Sequence, residues 1–331
     1  MSPRSSRLVM LLGGVVGAIL FAYAVDRAGT AEILNGIRRV GWGLLAILAL
    51  AGLRFIVRAE CWRLCVPPST RLTRLQAFTA FLAGDAVGNV TPLGLLASEP
   101  AKVLLTRHHL ATRESVSSLA VENLVYGASV VAMVGVGIAV LLATVPLPRA
   151  WFWIGIGTIT AFVIGTLAVA RLLRGTWDHE RGERPRWRQR LAGVRAAVLG
   201  FSTDYRARLW RVFALDLLFH ALAVIETFIT LQWVLGEHAL TFAQAVVFEA
   251  LNRVVTVAFK FVPFRIGVDE AFSGALAAAL AIDPAAGVAL AVVRKIRTLI
   301  WSGVGLAIVA AHPARGAAVV ASSTSQAGPT A

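Results

Sequence analysis

Two stretches of apolar sequence each hold a helix breaker followed by ionisable residues at matching intervals. The first reads Asn89-Val-Thr-Pro92-Leu-Gly94, with Glu99 and Glu122 beyond it. The second reads Phe261-Val-Pro263-Phe-Arg-Ile-Gly267, with Glu270 and Arg294 beyond it. In skeleton these are Pro-x6-Glu-x22-Glu and Pro-x6-Glu-x23-Arg. Proline and glycine end helices and free backbone N–H and C=O groups for a ligand. A charge at the centre of a membrane helix costs about 2.5–3.5 kcal/mol on insertion scales, so a functional reading comes first. Paired, interrupted hydrophobic segments carrying charge point to a transport site between structural repeats. The plain alternatives are a kink satisfied by neighbouring helices and a structural ion pair. Glu122 or Glu270 with Arg294 is the pair such a lock would use.

Further ionisable residues gather near the second break. Arg253, Lys260, Arg265, Arg294, Lys295 and Arg297 cluster there, and the spacing of Arg294 and Arg297 makes them neighbours on one helix face. A guanidinium is suited to hold phosphate through paired hydrogen bonds, so the group points to an anionic ligand such as a lipid phosphate. For Lys260 and Lys295 the plain alternative is snorkelling to the interface. Asp216, His220 and Glu226 share one apolar segment, with Asp216 and His220 one turn apart. Such a carboxylate–histidine pair can relay protons, although Asp216 near a helix end would equally be solvated. Cys61 and Cys65 have no second pair to complete a zinc site, and the histidines lack ligand partners. No metal or cofactor is expected, and no catalytic motif demands an enzyme.

These residues sit in a chain of 331 residues that is 57% hydrophobic and only 15% charged, with mean hydropathy +0.74. Soluble domains carry about a quarter charged residues. Several runs reach the roughly 18 apolar residues that span a bilayer. The composition is that of an all-α polytopic membrane protein, and the net charge of +14 fits loop topology and anionic headgroups better than nucleic acid. Helices are expected over 8–25 (a retained first helix rather than a signal peptide), 41–62, 114–144, 150–173, 209–235, 241–262 and 284–311. Broken segments are expected at 75–106 and around Pro263–Gly267. A basic insert with interleaved Trp177, Trp187 and Trp210 occupies 174–208, and reads as an interfacial segment or a topology determinant. The tail 312–331 has the composition of a disordered segment.

Basic residues set the topology. With both termini cytoplasmic and both broken segments turning back, the basic stretches at 4–7, 54–74, 102–113 and 171–211 all fall inside. The loops 26–39, 145–149 and 236–239 fall outside. The expectation is one membrane domain over 1–311 with about six spanning helices and two oppositely oriented re-entrant helical hairpins. Helix–hairpin–helix units near 41–144 and 209–311 then form an inverted repeat. Hairpin tips cannot face lipid, so they are expected to meet in protein near the midplane.

The Asn89–Gly94 stretch, Glu99-Pro-Ala-Lys102-Val-Leu-Leu, Ser-Leu-Ala-Val-Glu122-Asn, Phe261-Val-Pro263…Gly267-Val-Asp-Glu270 and the Arg294 helix together resemble the lysylphosphatidylglycerol synthase transmembrane-region family, also called flippase-like membrane proteins. The resemblance spans roughly 40–311. It implies a lipid-handling domain that moves or binds an anionic or isoprenoid-type lipid in the bacterial cytoplasmic membrane. Three departures stand out. Asn123 follows Glu122 where members often carry Arg, the glycines around the second break are thinned, and there is no room for a soluble aminoacyl-transferase domain. The last argues against lysyl-lipid synthesis by this chain alone.

The expected function is therefore translocation of a phosphate-bearing or isoprenoid-type lipid, with or without ion coupling. Asn89, Pro92, Glu99, Glu122, Arg253, Pro263, Arg265, Glu270, Arg294 and Arg297 are its expected site, and Asp216, His220 and Glu226 its candidate proton path. The alternatives are a membrane subunit that presents lipid to a partner enzyme, and an intramembrane enzyme using Glu99 or Glu122 as acid or base. A homo-oligomer is compatible with each.

Overall fold

The structure, a computed structural model, describes residues 30–144 except 69, 71, 92 and 93, and residues 206–311 except 237–239, 260 and 261, with isolated positions between 153 and 164. The expected helix 8–25, nearly all of 150–173, most of the basic insert, Lys260 and the tail lie outside the described residues.

Nine α-helices and one short 3-10 turn make up the described chain, with no strand among them. They are α1 (Thr30–Val40), α2 (Gly43–Cys65), α3 (Arg74–Val90), α4 (Gly94–Thr106), α5 (Thr112–Thr144), α6 (Arg206–Leu235), α7 (Phe242–Ala258), α8 (Val268–Ala279) and α9 (Pro284–Ala310). The 3-10 turn Pro263–Arg265 lies between α7 and α8.

Local chemistry places the ends. Both α3 and α7 are 17 residues long and begin with the same reciprocal cap, Thr73 with Gln76 and Thr241 with Gln244. Each threonine oxygen accepts a free N–H of the first turn, and each glutamine reaches back to the threonine N–H. Asp283 caps α9 ahead of Pro284, whose missing N–H costs nothing at a first position. Gly267 starts α8 at φ 81°, a left-handed conformation that glycine adopts without a side-chain clash.

Three differences from expectation stand out. The stretch 30–40, expected as part of an external loop, is an amphipathic helix bent by 76° against α2. The helix expected over 241–262 ends at Ala258, ahead of Pro263, which cannot continue a helix. Residues 206–208, expected in the insert, already belong to α6.

The order helix, two short helices, long helix occurs twice, and the two runs interlock. Helix α2 packs on α6, the first helices of each run. Helix α3 packs on α9 while α7 packs on α5, so the first short helix of each run lies against the long helix of the other run. Both crossings use glycine against alanine. A Cβ on Gly305 would fall 2.6 Å from Ala86 Cβ, and one on Gly137 2.0 Å from Ala250 Cβ. Small residues let backbones approach where no water drives helices together.

Two described helices, Thr112–Thr144 and Ala207–Leu235, are long and apolar enough to cross a membrane, or three if α1 and α2 form one bent span. Helix α9, at 27 residues, is about 40 Å long but carries Arg294, Lys295 and Arg297 near its middle. Trp42, Leu75 and Trp210 expose most of their surface, as side chains bathed in lipid do.

Candidate functional site

The interior charges meet in three clusters. In the first, Arg54 of α2 donates to Glu226 of α6 over 2.8 Å, and Arg297 of α9 takes the other oxygen of the same carboxylate. In the second, Glu249 of α7 binds Arg253 one turn along its own helix and Arg294 of α9. Thr227 donates to Glu249 over 3.1 Å and accepts from Arg294. In the third, Arg58 of α2 pairs with Glu122 of α5 and, over 2.9 Å, with Asp216 of α6. Glu122 and Asp216 are both 0% exposed. Removing either charge partner from such a pair leaves a buried ion uncompensated.

One ring joins the clusters. The guanidinium carbons of Arg54, Arg253 and Arg58 lie 4.5, 5.2 and 5.7 Å from the centroid of Phe219, and Arg58 also sits 3.8 Å from that of Tyr126. The electron-rich faces of these rings attract the cations without neutralising them. Around Glu226 and Glu249, four guanidiniums (Arg54, Arg253, Arg294, Arg297) face two carboxylates, a local excess of two positive charges.

The two breaks add polar groups beside these clusters. In the first, Asn89 donates to Asp85 over 3.1 Å and to Ser302 over 3.2 Å, tying α3 to α9. Glu99 accepts from Lys102 over 2.9 Å, one turn along α4. Pro92 lies outside the described residues. In the second break, Pro263 opens the 3-10 turn, and Phe264 and Arg265 follow at φ 50° and 47°. Two consecutive non-glycine residues in the left-handed region store strain, a feature that concentrates at functional sites. Arg265 is held by Asp269 over 3.0 Å. Glu270 accepts the Gly267 N–H over 2.7 Å and pairs with Lys295 over 2.9 Å.

Between the breaks lies a cavity of about 550 Å³. Its cationic wall is Arg54, Arg58, Lys102, Arg253, Arg265 and Arg297, against the carboxylates Asp85 and Glu99. Its apolar wall is aromatic: Phe55, Phe81, Tyr126, Phe219, Phe264 and Trp301. A smaller annex of about 90 Å³ shares Arg54, Asn89, Arg253 and Arg265 with it, and adds Glu249, Ser273, Arg294 and Lys295. A space lined by an excess of cations interleaved with aromatic rings suits an amphiphile with an anionic group. Among the described residues no group of His, Cys, Asp and Glu could hold a metal ion.

Residues 10–305 match the family model described as the lysylphosphatidylglycerol synthase TM region. The chain belongs to this family. The family makes it a membrane protein involved in lipid handling, and its long apolar helices fit a membrane. No curated protein and no solved structure matches it.

In this family member the structure brings together part of what the spacing singled out. Asn89, Glu99, Arg253, Arg265 and Arg297 line the main cavity, and Arg294 lines its annex. Glu122, Glu226, Glu270, Asp216 and His220 line neither and act behind the walls. The expected pair of Arg294 with Glu122 or Glu270 does not form. Arg294 binds Glu249, Glu122 binds Arg58 and Glu270 binds Lys295. Lys295 is thus an ion-pair partner, not a snorkelling chain. Asp216 and His220 do not act as a pair either, since Asp216 is held by Arg58 and His220 lies 3.1 Å from Ser129. Asp216 is not solvated but fully buried.

Spacing overlooked Arg54, Arg58 and Glu249. The first two, grouped with a cytoplasmic basic stretch, face inward from the middle of α2. The signal was present: Arg54 and Arg58, like Glu249 and Arg253, are ionisable pairs one turn apart inside apolar runs.

Proposed function

We propose that the protein translocates a phosphate-bearing or isoprenoid-type lipid between the leaflets of the bacterial cytoplasmic membrane. The observation that carries this is the cavity lined by six cations and six aromatic rings and bounded by both broken segments. The headgroup sits against Arg54, Arg253, Arg265 and Arg297, and the tail lies along Phe55, Phe81 and Trp301 toward lipid.

In this reading the chain has about six spanning helices, both termini in the cytoplasm, and two re-entrant hairpins, α3–α4 and α7–α8, entering from opposite faces. The units near 41–144 and 209–311 form an inverted repeat. The matched caps and the reciprocal packing of α3 on α9 and α7 on α5 support that relation. Alternating access then consists of rocking the units about the α2–α6 contact. The ion pairs that cross between them, Arg54–Glu226 and Arg58–Asp216, are breakable latches. Active transport would draw on an ion gradient. The carboxylates Glu99 and Glu122 are held by Lys102 and Arg58. That favours a role in gating over acid–base chemistry on the lipid.

Leaflet exchange of fluorescent lipids in proteoliposomes tests this, comparing wild type with Glu99→Gln and Arg265→Gln. Glu99→Gln keeps a side-chain oxygen for Lys102, and Asp269, the partner of Arg265, keeps Lys295 nearby. An unchanged melting temperature checks that each variant keeps its fold. Exchange by wild type that both variants lose supports translocation. Absence of exchange for every lipid tried, with and without a proton gradient, would leave a lipid-presenting subunit as the better account.

A further inference from the structure

The annex behind the main cavity has an unusual polar balance. Five of its lining residues carry a buried donor without a hydrogen-bond partner in the protein: Lys295 Nζ, which is ion-paired with Glu270, and Arg54 Nε, Arg253 Nε, Arg294 Nη1 and Ser273 Oγ, which have no ion pair through those atoms. Ser273 is 1% exposed. Buried donors are normally paired, so four on residues lining one space leave its surroundings short of acceptors. The carboxylates of the annex do not supply them. Glu249 is taken up by Arg253, Arg294 and Thr227, and Asp269 by Arg265 and Lys295.

Size and placement narrow the ligand. The annex, about 90 Å³, has room for a few water-sized groups, the scale of one tetrahedral oxyanion. Arg54, Arg253 and Arg265 line both spaces, whereas Ser273 and Arg294 line the annex alone. An anion that occupies both spaces puts its oxygens in the smaller one and anything larger in the main cavity. A terminal phosphate does this with three free oxygens. A phosphodiester carries an organic group on each side of phosphorus, and a space of about 90 Å³ is too small for the phosphate and a second substituent together.

We propose that the annex is a seat for a terminal phosphate, bound by Arg54, Arg253, Arg294 and Ser273, so that the ligand is a phosphomonoester or terminal diphosphate lipid in preference to a phosphodiester lipid. This rests on the lipid reading above for the tail alone, since the same oxygens could belong to free inorganic phosphate.

The test uses the full chain in phosphatidylcholine nanodiscs. Binding of fluorescent phosphatidic acid, a monoester, is compared with that of fluorescent phosphatidylglycerol, a diester, and inorganic phosphate serves as competitor and as a ligand alone. The variants are Ser273→Ala, which removes a hydroxyl without a protein partner and leaves the melting temperature unchanged, and Arg294→Lys, which keeps the charge opposite Glu249. Wild type binds the monoester about tenfold more tightly than the diester, the scale of one charge-assisted hydrogen bond, and both variants weaken it. Inorganic phosphate bound with the same sensitivity to the variants, but no lipid bound, upholds the seat, names free phosphate as its occupant and removes the lipid reading. Equal binding of monoester and diester, indifferent to phosphate and to Ser273→Ala, overturns the seat while the lipid reading stands. Binding of neither lipid nor phosphate overturns both.

Discussion

Arg58 donates to Asp216 over 2.9 Å across the contact between α2 and α6, and the same guanidinium holds Glu122 of α5. One buried cation therefore pins three helices from both halves of the chain. Its position explains why the interior tolerates two carboxylates with no solvent exposure.

Replacing Arg58 by Met strands Glu122 and Asp216 in an apolar interior. A loss of about 3–5 kcal/mol is expected, the usual cost of breaking a buried pair from one side. Neutralising both partners as well, with Glu122→Gln and Asp216→Asn, recovers most of it. Melting temperatures of the purified variants in one detergent check the order: single variant lowest, triple variant close to wild type.

The glycine contacts predict a second, purely steric effect. Gly137→Ala and Gly305→Ala each push a methyl group into a neighbouring helix, at 2.0 Å and 2.6 Å from the nearest methyl carbon. Overpacking of this kind costs about 1–3 kcal/mol. Gly127→Ala and Gly303→Ala meet nothing within 4 Å and serve as controls that keep the wild-type melting temperature.

Gly267→Ala acts on the second break instead. At φ 81° an alanine is strained, and the N–H that Glu270 accepts moves with the backbone. A destabilisation of about 1–2 kcal/mol is expected from the left-handed conformation alone. Protease sensitivity near residues 262–268 should rise with it.

Topology gives the sharpest test of the two-unit reading. Cysteines placed singly at 107–113 and at 281–283 in a chain freed of Cys61 and Cys65 should label from opposite faces of the membrane. Impermeant maleimide added to intact cells should reach 281–283 and not 107–113. Labelling of both sets from outside would end the inverted arrangement, although the cavity would remain.

Much of the architecture was legible because helices report themselves locally. The segment 94–106 begins and ends as expected, and the second break falls at Pro263–Gly267. Proline, glycine and the end of an apolar run act within one helical turn of where they stand. The same locality hid α1. Its apolar face is short, Arg38 and Arg39 crowd its end, and it reads as a polar loop until it packs on α6 and α9.

What the sequence determined by itself was the class of protein and the places where its helices must break, since both follow from composition and from residues adjacent in the chain. Which charge meets which was decided only by tertiary structure. Arg294 and Glu249 stand 45 residues apart, Arg54 and Glu226 172 apart, and no periodicity connects them. In an interior without water each ion must find a partner or a ligand, and the choice among several carboxylates falls to the helix packing that brings one of them within reach. That packing also leaves Arg294 Nη1 and Ser273 Oγ buried without a hydrogen-bond partner in the protein, which no spacing of residues could announce.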